Sequence, residues 1–187
     1  MSMNRRQLCQ HIVYVGLGSY LAVAAGACRR SDHDRDRDAD SSRGGSGLLT
    51  PAEYATLAAA CERLFPGDDD PGAIALGAPG YVERQLGSTA FSAWEPWFRS
   101  QLGALDADAR GRYHRSFAEL QPGEQDALLD AWIHGPRPRA TFVSRLMHLT
   151  LEGVFGDPSY GGNKGGAAWA LVGFAPSSPR PGDHHRM

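Results

Sequence analysis

The sequence predicts an all-α domain, an irregular bundle of about five to seven helices with a Gly-rich ordered C-terminal loop. Three observations predict it. Between Leu48 and Phe155 apolar residues recur at three- and four-residue spacing. Prolines and capping residues stand where such segments begin, and no alternating strand pattern of useful length interrupts them. At 187 residues, 42% hydrophobic and 21% charged, the chain is long enough to bury one ordinary core.

The first helix opens at Thr50, a strong N-cap, with Pro51 at the first helical position and Glu53 completing a capping box. Tyr54, Leu57, Ala58, Cys61, Leu64 and Phe65 then line one apolar stripe, and Pro66-Gly67 stops it. Asp68-Asp69-Asp70 is expected as a solvated turn, because carboxylate metal loops alternate ligands with spacers and close on a distant Glu. "GAPGYVERQLG" gives a short helix starting near Pro79. "STAFSAWEPWFRSQLGALD" gives a longer one with Phe91, Trp94, Phe98 and Leu102 on a face, where Pro96 either kinks the helix or marks its beginning. "DADARGRYHRSFAELQPGEQDALLDAWIHG" reads as two more helices split at Gln121-Pro122-Gly123. "RPRATFVSRLMHLTLEGVF" is another, with Pro138 near its start and Phe142, Leu146 and Leu149 inward.

Ahead of this domain, expected over residues 48–175, residues 1–28 have the order of an export signal. Arg5 and Arg6 precede an apolar run from Ile12 to Ala27 that ends in Ala25-Gly26-Ala27. The paired arginines and the glycines within the run favour the twin-arginine type, which exports folded proteins. The run is about sixteen residues, short of the ~20 that a spanning helix needs. It ends at "AAGAC", which resembles a lipobox and makes Cys28 the lipidation candidate; plain cleavage past a cysteine is the alternative. Residues 29–47 hold five Asp and five Arg and no aliphatic side chain larger than alanine, so a disordered charged linker is expected there. Residues 176–187 are expected as a flexible tail. The implied location is the periplasmic side, membrane-anchored through Cys28. Cys61 is then the domain's lone cysteine, either a core thiol or half of an intersubunit disulfide.

The chain offers little chemistry of its own. A formal net charge of −2 gives no electrostatic reason to expect nucleic acid. No "GxSxG" turn and no "CxxCH" occurs, and His114, His134 and His148 are single histidines on different helices, without zinc spacing. In "GGNKGG" the residue after Lys164 is Gly165 rather than Ser or Thr, and a helix rather than a strand precedes, so the phosphate-loop pattern fails. No catalytic, cofactor-binding or metal residue is assigned. That leaves "GDPSYGGNKGGAAWALVGF", Gly156 to Phe174, with five glycines in its first eleven residues. It is too aromatic for a linker, since Tyr160, Trp169 and Phe174 are costly to leave in water. An ordered loop followed by one short helical turn remains, either a docking surface for another protein or a segment folded back over its own core.

The run from Thr150 to Phe174 resembles the signature end of the gluconate 2-dehydrogenase subunit 3 family, through Thr150, Glu152, Gly153, Phe155, Asp157, Pro158, Tyr160, Gly161, Gly162, Asn163, Gly166, Trp169, Gly173 and Phe174. "LAAACERLFPGDD" is similar to the family's opening helix. The resemblance implies a non-catalytic small subunit of a periplasmic or membrane-bound flavin-dependent dehydrogenase of gluconate, glucose or polyol. Its implied partner is a large flavoprotein of the glucose-methanol-choline oxidoreductase type that carries FAD, with haem c in a cytochrome c third subunit. The small subunit would aid folding, twin-arginine export and tethering of the flavoprotein. Asp157, Pro158, Tyr160, Gly161, Gly162, Asn163, Trp169 and Phe174 are the candidate partner interface. A free-standing periplasmic or surface lipoprotein acting as a binding module is the rival expectation.

Overall fold

The computed structural model describes residues 47–176. The expected signal, with Arg5, Arg6 and Cys28, and nearly all of the linker and tail lie outside the described residues. Among the described residues the fold is all-helical, with six α-helices and no strand. They are α1 (Pro51–Leu64), α2 (Ala78–Leu86), α3 (Glu95–Tyr113), α4 (Pro122–Ile133), α5 (Arg137–Phe155) and α6 (Ala167–Leu171), with short 3-10 turns at Phe117–Glu119, Pro158–Tyr160 and Lys164–Gly166.

Prolines start these helices as the sequence suggests. Each of α1 to α5 carries Pro at its first or second position, where the missing N–H has no intrahelical acceptor to lose. Pro96 therefore marks the beginning of α3 rather than a kink. Trp94 precedes that beginning, so it falls out of the expected inward register and is 40% exposed. The segment Asp106–Tyr113 is not a separate helix: Leu105 and Ala109 continue the buried stripe of Phe98 and Leu102, nothing breaks it, and α3 runs on until His114 turns left-handed. In α1 the buried face holds Thr56, Leu57, Ala60, Cys61 and Leu64, turned slightly from the expected stripe, with Ala58 at its half-exposed edge.

The long helix α5 is the hub, packing on α1, α2, α3, α4 and α6. Its Phe142 is fully buried among Phe98 at 4.9 Å, Trp132 at 5.7 Å and Trp97 at 6.4 Å between ring centroids. Fully buried side chains of this size stabilise by about 1.5–3 kcal/mol each. Polar groups at the seams are matched: Asp108 accepts from Trp132 Nε1 at 2.9 Å and pairs with Arg139, and buried Glu83 accepts from Leu49 N–H at 2.9 Å. Cys61 is fully buried, with Thr150 Oγ1 3.3 Å away, and burial pushes its thiol up to about 12. Cys61 stands as a buried free thiol between α1 and α5, and a bridge to another chain would require α1 to lift from α5. Among the described residues no helix is long and apolar enough to cross a membrane.

Glu53 ties the start of α1 to α3. It completes the capping box with Thr50 and takes a two-pronged ion pair from Arg99, Nε at 2.9 Å and Nη2 at 3.1 Å. The Arg99 hydrogen bonds, opposed by burial, hold its carboxyl down at about 2, against 4.5 unperturbed. A depressed carboxylate stabilises the fold above the unfolded value, and that contribution disappears as pH falls through the folded one. Glu53→Gln should therefore lower the melting temperature at pH 7 while the difference from the parent shrinks between about pH 5 and pH 2. A pH series of thermal melts on both chains checks this, and a gap that stays constant with pH would refute it.

Candidate functional site

The loop after α5 is built by close backbone contacts. Gly162 lies against the C-terminal turn of α5: a Cβ on it would overlap the Gly153 carbonyl oxygen and come 2.8 Å from the carbonyl carbon. Gly153 is itself wedged on α2, where a Cβ would meet Ala78 Cα and Tyr81 Cδ1 at 3.0 Å. Helix α5, loop and α2 thus approach through two glycines, closer than side chains would allow. Asn163, fully buried in left-handed conformation (φ 42°), pins the arrangement. Its N–H donates to Gly153 O at 2.7 Å, its Nδ2 to Gly156 O at 3.0 Å, and its Oδ1 accepts from Ala168 N–H at 2.9 Å. Every one of these bonds replaces water that the buried backbone has lost.

The neighbouring residues complete the frame. Asp157 caps the Pro158–Tyr160 turn by accepting from Ser159 N–H at 2.9 Å, and Pro158 starts that turn. Gly161, at φ 87°, offers its carbonyl to Arg84 of α2 at 2.6 Å, and a side chain there would collide with the guanidinium. Lys164 N–H donates to Leu76 O, tying the loop to the segment before α2. Nearby, Tyr81 donates to Glu152 at 3.3 Å, and burial, then Glu152, raises its phenol to about 12.

The aromatic residues divide differently. Trp169, half-buried on α6, donates its indole N–H to Phe155 O at 2.7 Å and packs edge-on against Phe174 at 5.3 Å. Tyr160 is 65% exposed and Phe174 53% exposed. Phe155, Leu171 and Val172 are exposed as well. The eight candidate interface residues thus come together in one ordered segment, with two kinds of work. Asp157, Pro158, Gly161, Gly162 and Asn163 set its backbone, while Tyr160 and Phe174 present apolar surface and Trp169 links the two sets. Sequence reading missed Leu171 and Val172 as members of that surface; their place at the very end of the apolar run, just before Gly173, was the available signal.

This segment both folds back on the core, through Asn163 and Ala168, and leaves an aromatic face outward, so the two readings of the glycine run are not exclusive. Among the described residues no group of three His, Cys, Asp or Glu is placed to hold a metal ion; His114 and His134 terminate α3 and α4, and His148 rides on the exposed side of α5. A family model described as gluconate 2-dehydrogenase subunit 3 matches residues 51–176. No curated protein and no solved structure matches the chain.

Proposed function

The chain belongs to the gluconate 2-dehydrogenase subunit 3 family, whose members are small subunits of dehydrogenase complexes, and on that premise we propose that it serves a flavin-dependent dehydrogenase as its non-catalytic partner. The flavoprotein docks on the outward aromatic face of the C-terminal loop, around Tyr160, Trp169 and Phe174. One observation carries this: large apolar side chains stand exposed on a backbone held by buried hydrogen bonds, where surface loops are ordinarily mobile. Rigid aromatic anchors lose little entropy on binding, which suits a lasting interface.

The sequence outside the described residues extends the proposal. A twin-arginine signal at Arg5 and Arg6 would export the folded pair under one address, and a lipid on Cys28 would tether it. The FAD belongs to the partner, which oxidises a sugar, sugar acid or polyol, and a cytochrome c would carry the electrons onward. Co-expression with a flavoprotein of the glucose-methanol-choline oxidoreductase type should yield a yellow complex that stays together through gel filtration. Elution of the chain alone in every such pairing would overturn the reading.

A further inference from the structure

A second surface lies at the other end of α5. From Arg137 to Phe155 the helix rises about 27 Å, so the groove at its first turns is remote from the aromatic face at its last. The groove encloses about 630 Å³, is wide open to solvent, and is lined by Ala93, Trp94, Trp97, Arg137, Pro138 and Thr141. Its base is rigid, because Trp97 packs on Phe98 and Phe142 of the core and meets Trp94 edge-on at 6.0 Å.

The charge around it that lacks an ion-pair partner is positive. Arg145 stands over the Trp94 ring, its guanidinium carbon 3.7 Å from the centroid. Its Nε is buried and has no hydrogen-bond partner. Neither Arg137 nor Arg145 makes an ion pair among the described residues, whereas Arg99 and Arg139, also near this end, are both matched by carboxylates. The lining contains no carboxylate. Two unmatched guanidiniums beside two indoles attract an anion with an apolar body.

Spacing selects the kind of anion. Arg137, Thr141 and Arg145 stand one turn apart on the same side of α5, which separates the two arginines by about 12 Å along the axis. One small carboxylate cannot reach both. An extended peptide advances about 3.3 Å per residue with alternate side chains on one face, so acidic residues four positions apart span that distance with an apolar residue between them. We infer that the Trp94–Arg145 groove docks an acidic peptide segment of a partner protein, in extended conformation, with carboxylates on Arg137 and Arg145 and an apolar side chain on Trp94 and Trp97.

The test uses the full chain labelled with 15N and the peptide acetyl-Glu-Ser-Leu-Ser-Glu-amide. On titration the indole N–H signals of Trp94 and Trp97 should shift while those of Trp132 and Trp169 stay. The Gln-Ser-Leu-Ser-Gln analogue should bind at least tenfold more weakly, and Arg137→Glu, at an exposed position, should weaken the acidic peptide tenfold or more without changing the melting temperature. Equal binding of the Gln analogue, indifference to Arg137→Glu, or equal binding of glutarate as a lone dicarboxylate would each overturn the inference. It would also fall if replacing Asp32, Asp34, Asp36, Asp38 and Asp40 by Asn raised peptide affinity tenfold, since aspartates of the chain's own mixed-charge linker would then be the occupant.

Discussion

Gly162→Ala is expected to destabilise the domain by about 3 kcal/mol, lowering its melting temperature by about 10 °C. The cause is a collision between two main chains. The new Cβ would overlap the carbonyl oxygen of Gly153, and neither backbone can yield, since Gly153 is already tight against Ala78 and Tyr81 of α2. Relief requires the loop to withdraw from α5, which breaks the Asn163 N–H bond to Gly153 and leaves a buried amide unpaired. Gly165→Ala is the control. That glycine, unlike Gly162, has positive φ, 66°, but no atom lies within 4 Å of the added methyl, so only the backbone penalty of about 1–2 kcal/mol applies. Thermal or urea melts of the two variants decide the matter. If both lose the same stability, close approach is not what holds the loop, and the account of its frame fails.

The double variant Tyr160→Ser, Phe174→Ser is expected to do the reverse: keep the fold and lose the partner. Both side chains are more than half exposed, so little core area disappears; the main internal loss is the edge contact of Phe174 with Trp169. In an interface the same rings would be anchors, and truncating two anchors weakens binding by about 100-fold or more. Gel filtration and titration against the proposed flavoprotein partner measure the loss, with a melting curve to confirm that the fold survives. Full affinity in the double variant would remove this face from the interface. A variant that has lost both affinity and fold would be no better than Gly162→Ala, so the two experiments together separate frame from surface.

Much of this molecule was legible because its signals are local. Thr50, Pro51 and Glu53 start a helix whatever surrounds them, since the capping box is completed within four residues, and Pro122 and Pro138 act in the same way. The family motif was legible for a related reason: glycines, an asparagine and aromatics at fixed intervals record a backbone that only a few residue types can follow. The length of α3 was harder, because a change of helix at Asp106 or a continuation through it carries the same three- and four-residue spacing. The packed stripe of Phe98, Leu102, Leu105 and Ala109 against the rest of the bundle decided for continuation.

By itself, then, the sequence determined the helical class, most helix starts and the ordered character of the glycine run, all set by short-range sterics and hydrogen bonding. Tertiary structure alone decided which glycine is indispensable, which aromatic faces outward and which arginines lack a partner. Those depend on what lies across the gap: Gly153 opposite Gly162, Phe155 beneath Trp169, Trp94 beneath Arg145. The physical reason is that steric exclusion and charge matching act between surfaces that the chain brings together only after it has folded.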